Sequence, residues 1–198
     1  MGQEFAQFEE WKEYKSLDWH LLDFDFHKGI QKMIKDLNEI YKKEKALWEK
    51  DADPSGFIGI NCDDSDNSVI SFIRRSNDPF DFLVVVVNFT PVPRHNYLLG
   101  VPEKCYYEEI FNSDSSKYCG SNVGNFGGVM ATEPGSYWMP YSIYVTVPPL
   151  GGIILKPKYD DKFFENKKKE QGIVEENKKQ EEVKKDESAK ETKKKKGK

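Results

Sequence analysis

The stretch 82–92, FLVVVVNFTPV, restricts the fold of this chain more than any other. Leu83, Val84, Val85, Val86 and Val87 are stiff, mostly β-branched side chains that favour extended backbone. A run without polar alternation has no face to offer to water, so it predicts a central strand covered on both sides. Burying five such side chains stabilises by about 10 kcal/mol at most. Asn88 begins the exit, and Pro91 and Pro93 end the strand because neither can donate to a ladder.

Period-two patterns recur on either side of it. Extended pieces are expected at 57–60, 68–75, 96–99, 104–111, 139–147 and 150–155, the last closed by Pro157, with a long Ser/Asn/Gly loop over 112–128. Short strands separated by turn signals at these spacings predict a mainly β fold, an antiparallel β-sandwich. Before them the period is helical. Ile30, Met33, Ile34, Leu37, Ile40, Tyr41 and Leu47 share one face, predicting a helix over 28–48 with Asp25 as its N-cap and Glu39–Lys43 as a supporting pair. Pro54 forbids continuation. Residues 1–27 follow neither period and are dense in aromatics and acids, which predicts an irregular loop folded onto something else. The expected division is therefore 1–53, 54–158 and 159–198.

Charge separates the last part from the rest. Residues 159–198 hold 14 Lys against 11 acidic residues, while 1–158 hold 16 basic against 23 acidic, a net of −7. The tail lacks the apolar content to order itself and is expected to be disordered, its Lys193–Lys196 run a solvated one. An acidic body repels nucleic acid and anionic lipid, so neither is expected as a partner. Cys62, Cys105 and Cys119 are odd in number without CxxC spacing, and no apolar run reaches a membrane span. A cytoplasmic protein without structural metal or cofactor is the expectation.

The motifs MGQEFAQ, EEW, SLDWHLL, HKGIQKMIKDLNEIY, NFTPVPRHNY, VGNFGG and VPPLGGIILKP, in that order, resemble the C-terminal part of bacterial glycogen branching enzymes, 1,4-α-glucan transferases of the α-amylase superfamily. The resemblance implies that 1–53 are the final βα loop and last helix of a (β/α)8 barrel, followed by a β-sandwich of the α-amylase C-terminal domain type. It implies a role in glycogen biosynthesis. The carboxylates of that chemistry come from earlier strands of the barrel, so no catalytic residue is expected here. The alternative is a non-catalytic module that binds glucan or complements a separately encoded barrel fragment. Two positions depart from the family pattern: Ala6 stands where the family has Gly, and Lys12 where it has Asn.

On that loop Glu4, Trp11, Asp18, Trp19 and His20 are the candidates for contact with glucan, since flat aromatic faces suit sugar rings and carboxylates suit hydroxyls. The competing reading has Trp11 and Trp19 packing the loop while Glu4 and Asp18 hold its backbone. His20 and His27 lack a third metal ligand. His95 beside Arg94 reads as a structural edge residue, and Gly124-Asn-Phe-Gly-Gly as turn chemistry rather than a phosphate loop. Tyr137, Trp138 and Tyr141 suggest core packing more than a surface sugar platform.

Overall fold

The computed structural model describes residues 1–165 and 167. Met1–Lys158 form one unit and Tyr159–Lys198 another. In the first, eight strands come after an N-terminal segment and one long helix, α1 (Asp25–Lys43). They are β1 (Phe57–Asp64), β2 (Val69–Arg75), β3 (Phe82–Asn88), β4 (Arg94–Val101), β5 (Tyr106–Asn112), β6 (Gly128–Met130), β7 (Tyr141–Val147) and β8 (Gly151–Lys158). All pairings are antiparallel, in a six-stranded sheet ordered β1-β2-β3-β8-β5-β6 and a two-stranded sheet β4-β7. A bridge between Thr132 and Ser142 joins the edge beyond β6 to β7. The mainly β, antiparallel architecture expected from the sequence is the one observed.

β3 lies inside the larger sheet, paired with β2 and β8, and its unbroken apolar run is explained by the elements that cover it. Phe82, Val84 and Val86 are at most 1% exposed and point to the interior, where β7 approaches. Leu83 and Val85 point the other way, into a cluster with Phe111, Tyr118, Ile154 and Ala46, on which Met33, Leu37 and Ile40 of α1 pack. The helix is thus folded onto the outer face of the sheet. Its approach depends on Gly29, where a Cβ would stand 2.5 Å from the Tyr118 carbonyl oxygen. Asp36 secures the contact, accepting from Tyr118 Oη at 2.9 Å and pairing with Lys117 at 3.2 Å, and these bonds hold its carboxyl below the usual range.

The helix differs in detail from the expectation. It starts at Asp25, which is its first residue and not its cap, and Glu39 pairs with Lys42 at 3.0 Å, one position earlier than expected. It also stops at Lys43, well before Pro54, because Glu44 turns to extended backbone (φ −92°, ψ 103°). That turn carries the Glu44 carboxylate inward to meet Lys156 of β8. Leu47, expected on the helix, reaches the same cluster from a 3₁₀ turn, Lys45–Leu47. β8 does not close at Pro157 but continues to Lys158, with Pro157 opposite Tyr107. The ladder with β3 ends at Leu155, so Pro157 has a partner strand on one side only, an edge-like position that tolerates proline. β6, three residues at the end of the expected loop, pairs with β5.

In the second unit the rings of Tyr159, Phe163 and Phe164 pack together, with centroids 4.3 Å and 5.4 Å from Tyr159, and 161–165 are helical. The disordered tail expected further on, Lys193–Lys196 included, lies outside the described residues.

Candidate functional site

The N-terminal segment folds as a tight double turn. Gly2 (φ 89°) and Ala6 (φ 55°) flank a 3₁₀ turn, Gln3–Phe5, and both adopt left-handed backbone. Glycine takes this conformation freely, whereas for an L-residue it costs about 1–2 kcal/mol. Ala6→Gly is therefore expected to stabilise the segment by up to about 1 kcal/mol, raising the thermal midpoint. A lowered midpoint would show that Ala6 relaxes away from this geometry.

Three side chains tie the turn to the chain beyond it. Gln7 accepts from the Asp18 N–H at 2.9 Å through Oε1 and donates to the Glu9 carbonyl at 2.9 Å through Nε2. His27 Nδ1 lies 2.7 Å from the Phe5 carbonyl, linking the turn to α1. Lys15 bridges Glu9 at 3.2 Å and Asp18 at 3.1 Å. Hydrogen bonds from Lys12 and Lys15 keep the Glu9 carboxyl below the usual range. Sequence reading missed Gln7 and weighed His27 only as a metal ligand, not as a tie to the Phe5 carbonyl. Their only signal is a polar side chain beside an aromatic, which many loops share.

The five candidates do not converge. Trp11, 45% exposed, lines an open cleft of about 400 Å³ with Gln3, Gln7, Phe8, Glu9 and Glu10. Trp19 lies elsewhere, its ring 5.3 Å from that of buried Phe5 and tilted by 30°. Glu4 accepts from the Gly2 N–H at 3.0 Å, and Asp18 is paired with Lys15. His20 is exposed on the 3₁₀ turn Trp19–Asp23. A cleft with an indole face, two amides and two carboxylates can bind a polyhydroxylated molecule. Glu4 is engaged by a backbone N–H and Asp18 by a lysine. Among the described residues no group of three or more His, Cys, Asp or Glu is arranged to hold a metal.

The remaining singled-out residues lie in the β-domain. Arg94 opens β4 and donates to the Asn67 carbonyl at 3.0 Å, and His95 is exposed beside it. In the glycine-rich loop Asn125 donates to Glu109 at 2.6 Å and to the Thr146 carbonyl at 3.0 Å, which is turn chemistry. Tyr137 and Tyr141 are half-buried, but Trp138 is 82% exposed and so does not pack in the core as its neighbours suggested. The three cysteines are free, with Cys105 buried and its thiol pushed up to about 11 by desolvation. No described helix is long and apolar enough to cross a membrane.

Comparison with known proteins gives this geometry a setting. Residues 60–158 match the model of the alpha amylase C-terminal all-beta domain. Over 158 residues the chain is 49% identical to the 1,4-alpha-glucan branching enzyme GlgB of Prochlorococcus marinus (strain NATL1A), a match that covers 80% of this chain and 21% of that protein. It is 48% identical over 156 residues to the GlgB of Aquifex aeolicus (strain VF5), covering 79% of this chain and 25% of that one. An alpha-amylase structure from H. orenii matches 65% of this chain and 20% of its own, with 14% identity and a TM-score of 0.40. The chain thus spans about a fifth to a quarter of the length of these branching enzymes. With half its residues matched by the family model and those residues folded as antiparallel strands, the chain belongs to the alpha amylase C-terminal all-beta domain family.

Proposed function

We propose that residues 1–158 serve as the non-catalytic C-terminal unit of a 1,4-α-glucan branching enzyme acting in glycogen biosynthesis. In this reading 1–53 complete a catalytic barrel supplied by other polypeptide, and 54–158 are the accessory β-domain. The supporting observation is the N-terminal surface. Phe8, Trp11, Tyr14, Trp19, Phe24 and Phe26 are all 45% or more exposed on a segment whose backbone is pinned by Gln7 and His27. A rigid display of large aromatics is the mark of a surface awaiting a partner, and the similarity to a branching enzyme spans 158 residues, more than the β-domain alone. Trp11 and its cleft are the part of that surface suited to a glucan chain. The free thiols fit a reducing cytoplasm.

Retaining transfer of a glucan needs a nucleophilic carboxylate and a carboxylic acid about 5–5.5 Å apart. Glu4 and Asp18, each engaged with its own loop, do not supply that pair. Purified chain incubated with amylose is therefore expected to create no α-1,6 branches, read as unchanged chain lengths after enzymatic debranching. It should elute with a catalytic-barrel fragment of a GlgB relative on size-exclusion chromatography. Branch formation by the chain alone would overturn the proposal.

A further inference from the structure

The polar ties between residues 25–53 and the strands run in one sense. Asp36 accepts from Tyr118 Oη at 2.9 Å and pairs with Lys117 at 3.2 Å. Glu44 pairs with Lys156 of β8, and Asp51 with Arg74 of β2. Glu49 accepts from the Asn77 N–H, in the turn between β2 and β3, at 2.8 Å. In each case the carboxylate comes from 25–53 and the donor from the β-domain. The segment itself holds seven Lys against seven Asp and Glu, so its neutrality depends on those acids being ionised. Its own groups nearest the ties are lysines too, Lys32 beside Asp36, and Lys45 and Lys50 beside Glu49.

The apolar part of the same contact is shallow. Gly29 is the only residue of α1 that is fully buried, and Met33, Leu37 and Ile40 pack on the sheet only partly buried. In acid a carboxyl loses its attraction for lysine and arginine, which stay charged. Protonation would leave the segment with at least seven positive charges, resting on Lys117, Lys156 and Arg74. Hydrogen bonds from Tyr118 and Lys117 hold the Asp36 carboxyl below its ordinary value, and the Asn77 N–H does so for Glu49. Carboxyls depressed in this way stabilise the docked arrangement above their unfolded values. That stabilisation is lost as pH falls through the folded ones. We propose that α1 and the chain to Asp53 form an acid-released strap, which lifts off the outer face of the sheet while the strands stay folded. The device lies in the fold and depends on no reading of the function.

Amide hydrogen exchange of the full chain, expressed as protection factors, tests the strap. From pH 7 down to about pH 5, Met33–Ile40 and Leu83–Val87 should both keep their protection. Between about pH 5 and about pH 3.5, protection across Met33–Ile40 is expected to fall about tenfold, with less than about threefold change across Leu83–Val87. The double variant Asp36→Asn, Glu49→Gln should show part of that loss at pH 7, again without change in Leu83–Val87. A helix as protected in acid as at neutral pH overturns the inference. So does parallel loss in α1 and β3, which is unfolding of the whole molecule. Loss above about pH 5 would assign the release to a histidine and overturn it as well. A double variant whose helix is protected like the parent's at pH 7 would show that these carboxylates do not hold the strap, with the same consequence.

Discussion

Lys156→Met is expected to cost residues 1–158 about 3 kcal/mol of unfolding free energy, and Glu44→Gln clearly less. The pair joins the end of α1 to β8, and its two members differ in their access to water. The Glu44 side chain is 4% exposed and that of Lys156 35%. Removing the lysine strands a carboxylate in a desolvated position, and breaking a buried pair in this way costs about 3–5 kcal/mol. Removing the charge on Glu44 leaves an ammonium that can swing outward on its flexible stem, so much of the penalty is avoided. Denaturant unfolding of the two variants reads the asymmetry directly. Equal losses would mean that Glu44 is not desolvated as the structure has it.

The same pair shows why part of the fold was legible in the sequence and part was not. The continuous apolar run 83–87 announces a strand with two covered faces, because no other arrangement hides five such side chains. Which element covers the outer face is not legible. The apolar stripe of α1 and the outward residues Leu83 and Val85 are far apart along the chain, and only the fold brings them together. Helix termination at Glu44 carries no local signal, since glutamate is a good helix former and its partner Lys156 is 112 residues away. Pro157 misleads in the opposite direction, for a proline ends a strand only where its N–H would have had a partner. At the N-terminal loop, composition makes the aromatic density obvious, but it cannot distinguish Trp11, which lines a cleft, from Trp19, which rests on Phe5. Trp138 is similar. Its sequence neighbourhood of Tyr, Met and Pro suggests core, and only the left-handed turn puts it outside.

Because the two faces of β3 are covered by different elements, adjacent residues should report on different parts of the molecule. Leu83→Ala removes side-chain volume from the cluster beneath α1, where Met33, Leu37 and Ile40 pack, and is expected to destabilise by about 2–5 kcal/mol. Its signature in hydrogen exchange should be a selective rise across α1, since the helix depends on this contact more than on its own propensity. Val84→Ala, one residue on, opens space on the interior face and should cost about 2 kcal/mol. Its rise in exchange should fall on β4 and β7, with α1 keeping its protection under mildly destabilising conditions. If Leu83→Ala leaves α1 as protected as the parent, the helix is not held by the sheet, and the two-sided burial that accounts for the FLVVVVN run is wrong. If instead both variants loosen α1 and β7 alike, the two layers unfold as one unit, and the separate coverage of the two faces has no energetic consequence.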